Sequence, residues 1–317
     1  MIAECAVEPE VMAEWKHFHS LHGDFGVGQG RLLCQFPSKW RKQVLQAVTR
    51  FEQEGRNSAR QAARILAQVQ QDLFEKNDPQ PSAFRRSLVS SLRDFPAASC
   101  WVDAARVVAE PFDLIIHSGA PSSDRELQAG EFLRSEEPFH RPQQIEVRRL
   151  ASDLIAIGWA CFRRAKEIYV VDPFFRPCDS KYHKVLGHLL SRLEREASRP
   201  ARLEVHTSIA RTTYNSELQK RHWDRWARDH LPSDWTLKVV HWKELETGGR
   251  LHARYILTDF GGIDYNWGTD EDPGEETQVG LLCDDFWLRL YNRFAWQDGN
   301  LPEPFQKETD RILTIKR

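Results

Sequence analysis

From residue 145 onward the chain alternates two textures, and few folds accommodate that alternation. Short runs rich in β-branched and aromatic residues (167–172, 202–207, 235–240) are separated by amphipathic stretches of helical length (146–165, 181–197, 213–229). Parallel strands need a crossover long enough to hold a helix, so this order predicts a sheet with parallel neighbours. Three further runs, 253–258, 263–267 and 278–282, follow one another closely before a last helix at 284–294. Residues 145–317 are therefore expected to form an α/β domain with a mixed sheet.

The first 117 residues show a helical period instead. Trp40, Val44, Leu45 and Val48 share one face of a stretch at 38–51 that follows Pro37. Asn57 or Ser58 can cap a second helix carrying Ala62, Ile65, Leu66, Val69 and Leu73, and the breaker Asn77-Asp78-Pro79-Gln80-Pro81 ends it. A third helix is expected over 82–92, and only 112–116 looks like a strand. Residues 1–117 thus read as a mostly helical region. Residues 118–144, polar and holding Pro121, Pro138 and Pro142, read as a linker or surface excursion. Gly26, Gly28 and Gly30 alternate as in a phosphate loop, but no strand is expected before them and no Lys-Ser/Thr follows. A flexible lead into the helices is the better expectation.

Composition excludes some partners. A net charge of −2 gives no whole-chain attraction to nucleic acid or anionic lipid, so any such pull must be local. No apolar run reaches the roughly 18 residues of a membrane span. The acidic start (Glu4, Glu8, Glu10, Glu14) is unlike a basic secretory leader, so a cytoplasmic protein is expected. The six cysteines show no CxxC pair, which argues for reduced thiols and against a zinc site; no metal or other cofactor is expected.

Local basic character is strongest in 31–93, where Arg31, Lys39, Arg41, Lys42, Arg50, Arg56, Arg60, Arg64, Lys76, Arg85, Arg86 and Arg93 outnumber the carboxylates. Phe36, Trp40 and Phe84 lie among them. Such a surface either engages a nucleic-acid backbone, with Lys39, Arg41, Lys42, Arg60 and Arg64 as the candidate contacts, or is an ordinary solvated helix face. Arg211 is a further phosphate ligand by position. The run Asp270-Glu271-Asp272-Pro273-Gly274-Glu275-Glu276 reads as a solvated hairpin loop.

The strongest chemical pattern is His252-Ala253-Arg254 followed by Asp259. On a strand, residues two apart share a face, so His252 and Arg254 would stand side by side. Imidazole can attack phosphorus or carry a proton, and guanidinium can neutralise two phosphate oxygens. Asp259 can anchor backbone or orient a histidine proton. A structural histidine beside a surface arginine is the competing reading. His241-Trp242-Lys243 is a second, isolated match without the following aspartate, and is taken as coincidence.

The order strand–Asp172, helix, strand, helix, strand, His252-x-Arg254-x4-Asp259 resembles a single domain of the phospholipase D-like superfamily, over residues 145–300. The resemblance implies His252 as nucleophile, Arg254 as phosphate clamp, Asp259 as supporting carboxylate, and looser counterparts in Asp172 and in Thr269 of Gly268-Thr269. It implies a metal-independent phosphodiesterase, a hydrolase of DNA or RNA, working through a phosphohistidine. With one motif copy, the second histidine would come from the other half of a homodimer. Arginine in place of the family's lysine, and the altered glycine loop, are closer to the phospholipase D-like domains of MIT-domain proteins, which bind rather than cut. The alternative is thus an inactive module recognising nucleic acid or a protein partner. A helical front half on such a domain also resembles accessory proteins of anti-phage (antiviral) defence complexes.

Overall fold

The computed structural model describes residues 1–74, 82–98, 100–130, 137–208, 216–242, 252–295 and 312–317. It divides into two compact units, 1–142 and 143–317, each built on its own sheet.

In the first unit the order is β1 (Ala3–Val7), α1 (Pro9–Ala13), α2 (Trp15–His22), a 3-10 turn (Val27–Gln29), β2 (Arg31–Gln35), α3 (Trp40–Gln53), α4 (Ala59–Phe74), α5 (Ala83–Ser87), β3 (Leu88–Ser90), α6 (Trp101–Arg106), β4 (Leu114–His117) and β5 (Glu126–Gln128). The five strands are all parallel, in the order β3-β2-β1-β4-β5. The expectation of a mostly helical region over 1–117 is therefore corrected: α3 and α4 form as the periodicity indicates, but they are crossovers of an α/β sheet. The end of the stretch at 82–92 is strand β3. The supposed linker 118–144 supplies β5, whose Glu126 is buried.

Strands β1 and β2 escape a pattern search because their polar residues are buried by distant partners. Glu4 pairs with Arg93 at 2.7 Å, and Arg31 donates to the carbonyls of Asp24 (2.7 Å) and Phe139 (2.8 Å). A buried charge is tolerable only when paired in this way. The glycine triplet is a tight turn into β2: Gly26 and Arg31 exchange backbone hydrogen bonds at 3.0 Å, and Gly30 sits at φ +71°. The core packs one face of the sheet, with Val7, Leu33 and Ile116, against Trp40, Val48, Phe51, Ile65 and Phe84 of the helices. The Trp40 indole donates to the Val7 carbonyl at 2.7 Å.

The second unit contains β6 (Gln144–Arg149), α7 (Ala151–Ala156), α8 (Trp159–Phe162), β7 (Glu167–Val171), α9 (Ser180–Glu196), β8 (Arg202–Ser208), α10 (Ser216–His230), β9 (Thr236–Trp242), β10 (Tyr255–Thr258), β11 (Gly262–Tyr265), β12 (Asp272–Leu281), α11 (Asp284–Phe294) and β13 (Ile312–Lys316). Its eight strands lie in the order β13-β9-β8-β7-β10-β11-β12-β6. β7, β8 and β9 are parallel; the other pairings are antiparallel. The mixed α/β character expected of this half is what is found. One element differs: residues 144–149 are strand, not the start of a helix. Their burial alternates with period two along the strand, and they pair with β12. No helix among the described residues is long and apolar enough to cross a membrane.

Candidate functional site

At the carboxyl end of β7 three of the sequence-selected residues, Asp172, Arg254 and Thr269, come together. β10 runs antiparallel to β7 with Tyr255 opposite Val171, so Arg254 arrives beside Asp172. β11 returns antiparallel to β10 and delivers residues 266–270 to the same place. Asp172 is 1% exposed. Its Oδ1 accepts from the Phe174 N–H (2.8 Å), and its Oδ2 accepts from the Thr269 N–H (3.2 Å) and hydroxyl (2.9 Å). Burial pushes the Asp172 carboxyl up, against the pull of those donors and of Arg254.

Arg254 is fixed on two sides. Its Nη1 donates to the Asn266 carbonyl at 2.9 Å, and its guanidinium carbon lies 4.7 Å from the centre of the Phe174 ring. Gly268, at φ +128°, turns the loop so closely that a Cβ there would stand 2.5 Å from Asp270 Oδ1. That φ and that approach both require glycine. Asp270 is buried between Arg149 (2.6 Å) and Lys181 (3.0 Å), and Glu271 is paired with Lys184. The acidic run is thus solvated only in part: Asp272, Glu275 and Glu276 are exposed, while Asp270 and Glu271 are not. Its first two carboxylates tie the site loop to β6 and α9, and 272–276 belong to β12.

Two sequence assignments change. Asp259 lies at the opposite end of β10 from Arg254, roughly 16 Å along the strand. There it accepts from the backbone N–H groups of Lys166 (3.0 Å) and Glu167 (3.4 Å), anchoring backbone and orienting no histidine. Asp172 and Thr269 are both 1% exposed and hydrogen-bonded to each other, so neither side chain is open to solvent. His252 and Arg254 precede β10, which begins at Tyr255; His252 is exposed, and among the described residues no hydrogen bond holds its ring.

A comparison with protein-family models and with curated proteins finds no significant match.

Sequence reasoning passed over two features. Trp267, 66% exposed, stands at the tip of the turn between Asn266 and Gly268, beside the Arg254 contact. A tryptophan between Asn and Gly in a loop was the available signal. Below the sheet, Glu204 (1% exposed) accepts from Arg202 (2.6 Å) and His206 Nε2 (3.1 Å) and faces Lys238 at 3.3 Å. The Trp242 indole can only donate, and it reaches His206 Nδ1 at 3.0 Å, so the proton of His206 is on Nε2. His241 and Trp242 are buried at the end of β9, while Lys243 lies outside the described residues.

In the first unit the basic stretch is largely spent on internal contacts. Besides Arg31 and Arg93, Arg41 donates to the Gln35 amide oxygen (2.6 Å), Arg50 to Glu10 (3.3 Å) and Arg56 to Glu14 (3.1 Å). Of the proposed contacts, Lys39, Lys42, Arg60 and Arg64 are exposed and Arg41 is partly buried. Arg211 and Lys76 lie outside the described residues.

Asp172 gives a testable pH signature. A folded-state pKa raised above the ordinary 3.8 means that stability is lost as pH rises through the folded value. The stability difference between Asp172→Asn and the wild type should therefore move in the variant's favour as pH rises from about 4 and flatten above the folded pKa. Asp172→Ala, which strands three donors, should cost about 3 kcal/mol at neutral pH. Urea unfolding of all three proteins from pH 4 to 8 measures both effects. A pH-independent difference would show that the carboxyl is not shifted.

Proposed function

We propose that the second unit is a phospholipase D-like phosphodiesterase site that cleaves nucleic acid without a metal ion. The observation that carries this reading is the placement of Arg254, two residues after His252, beside Asp172, which lies 82 residues earlier in the chain and is held by Thr269. In this mechanism Arg254, pre-set by Phe174 and the Asn266 carbonyl, neutralises the non-bridging phosphate oxygens. His252 attacks phosphorus through a ring-nitrogen lone pair, the P–O ester bond breaks, and a proton from the second histidine of a homodimer goes to the leaving oxygen. Water then hydrolyses the phosphohistidine and returns that proton. Trp267 offers an aromatic face to a base next to the scissile phosphate. An anti-phage defence role is consistent with a nuclease of this kind.

The test pairs the solution mass by light scattering with cleavage assays on single- and double-stranded DNA and RNA in EDTA. A dimer that cuts in EDTA is expected. A monomer that cuts nothing would overturn the reading.

One observation favours a second reading, a non-catalytic module that binds nucleic acid or a protein partner: no hydrogen bond orients the His252 ring among the described residues. A nucleic-acid-binding module would bind with a steep salt dependence and no turnover.

A further inference from the structure

Helices α2 and α4 of the first unit enclose a groove of about 350 Å³, lined by Trp15, Phe18, His19, His22, Arg64, Ala67, Gln68 and Gln71. The spacing explains it. Residues 15, 18, 19 and 22 form one stripe of α2, and residues 64, 67, 68 and 71 form one stripe of α4. Ala67, the smallest of them, leaves the space open. Trp15 and His19 are stacked, with centroids 5.5 Å apart and planes 11° from parallel. The Trp15 backbone N–H is held by Asn57 at 3.0 Å, which fixes this aromatic wall. The Arg64 guanidinium lies 5.9 Å from the Trp15 ring centre, and Arg60 continues the same face of α4 one turn earlier. Phe84 stacks on His22 at 4.4 Å and backs the far end. None of the lining residues is a carboxylate.

A flat aromatic wall, carboxamides that both donate and accept, and cations at the rim match one chemistry. The wall stacks a heteroaromatic ring, the Gln68 and Gln71 side chains read its polar edge, and Arg64 and Arg60 meet an attached phosphate. We propose that this groove binds a nucleobase of a single-stranded nucleic acid. A duplex cannot supply one, because its bases are already stacked and their edges paired. The proposal deepens the nucleic-acid reading and rests on it for the choice of substrate, but uses different residues in a different unit.

The experiment is fluorescence anisotropy with a labelled dT12 strand in EDTA, using the full-length His252→Ala chain so that no cleavage intervenes. An abasic strand of the same length and AMP serve as competitors. Ala67→Leu, which fills the groove without changing charge, and the exposed-site pair His19→Ala/Arg64→Ala should each weaken dT12 binding roughly tenfold. Binding to the abasic strand should be the same with and without Ala67→Leu. Unchanged dT12 affinity in Ala67→Leu, or no binding of dT12 at all, overturns the proposal. AMP competing as well as dT12 overturns it in favour of a free nucleotide. Groove-dependent binding by a wild-type chain that cuts nothing would defeat the nuclease reading and leave this one standing.

Discussion

Replacing His252 by alanine is expected to lower phosphodiester cleavage by at least about a thousandfold, the scale seen when a covalent nucleophile is removed. Folding should be untouched. The residue is exposed and precedes β10, and a surface substitution of this kind shifts stability by no more than about 0.5 kcal/mol. Single-turnover cleavage in EDTA, alongside a thermal melt, separates the two quantities. Arg254→Lys is the informative companion. It keeps the charge but loses the planar fork that lies over Phe174 and reaches the Asn266 carbonyl, so an intermediate loss of rate is expected. Cleavage that survives in His252→Ala would remove the phosphohistidine from the mechanism, and the second unit would then be read as a binding module.

The second large effect is on stability and concerns Glu204. Burial alone would push this carboxyl up, but the hydrogen bonds from His206 and Arg202 and the charge of Arg202 outweigh it and hold it at about 2. A folded-state value below the ordinary 4.5 contributes stability that is present above 4.5 and lost as pH falls through about 2. The shift corresponds to about 3 kcal/mol. Glu204→Gln should therefore be less stable than wild type by about that amount at pH 7, and the gap should close progressively between pH 5 and pH 2. Urea midpoints at pH 7, 4 and 2.5 measure it. A gap independent of pH would mean that Glu204 is held by packing and not by its charge. Burial keeps His206 neutral, so its role is to donate from Nε2 and to accept the indole of Trp242.

How far the sequence could be read depended on whether a residue's partner lay nearby. β7, β8 and β9 were legible because they are short runs with β-branched and apolar residues, bounded by clear helices. β1, β2 and β5 were not, because Glu4, Arg31 and Glu126 look like surface residues until their partners are known. Glu126, for instance, is buried against Arg106 at 2.7 Å and His117 at 3.1 Å. β6 was taken for helix because it runs directly into the amphipathic stretch that forms α7 and α8. At the candidate site, a local motif marked His252 and Arg254. The pairs Arg149–Asp270 and Lys181–Asp270, which shape the loop, join residues too distant in the chain for any spacing rule. For Asp259, a family-like position suggested chemistry where the geometry gives a backbone anchor.

β13 occupies the outer edge of the eight-stranded sheet, with Ile312 to Lys316 paired antiparallel to β9. Among the described strands it leaves the ribosome last. Until it arrives, the outer backbone groups of β9 remain unpaired, an adhesive border of the kind that recruits strands from other molecules. Once docked, Leu313 and Ile315 turn inward while Thr314 and Lys316 face solvent, so the finished border carries a lysine. The segment that completes this edge is also the one that covers β9 in the finished sheet.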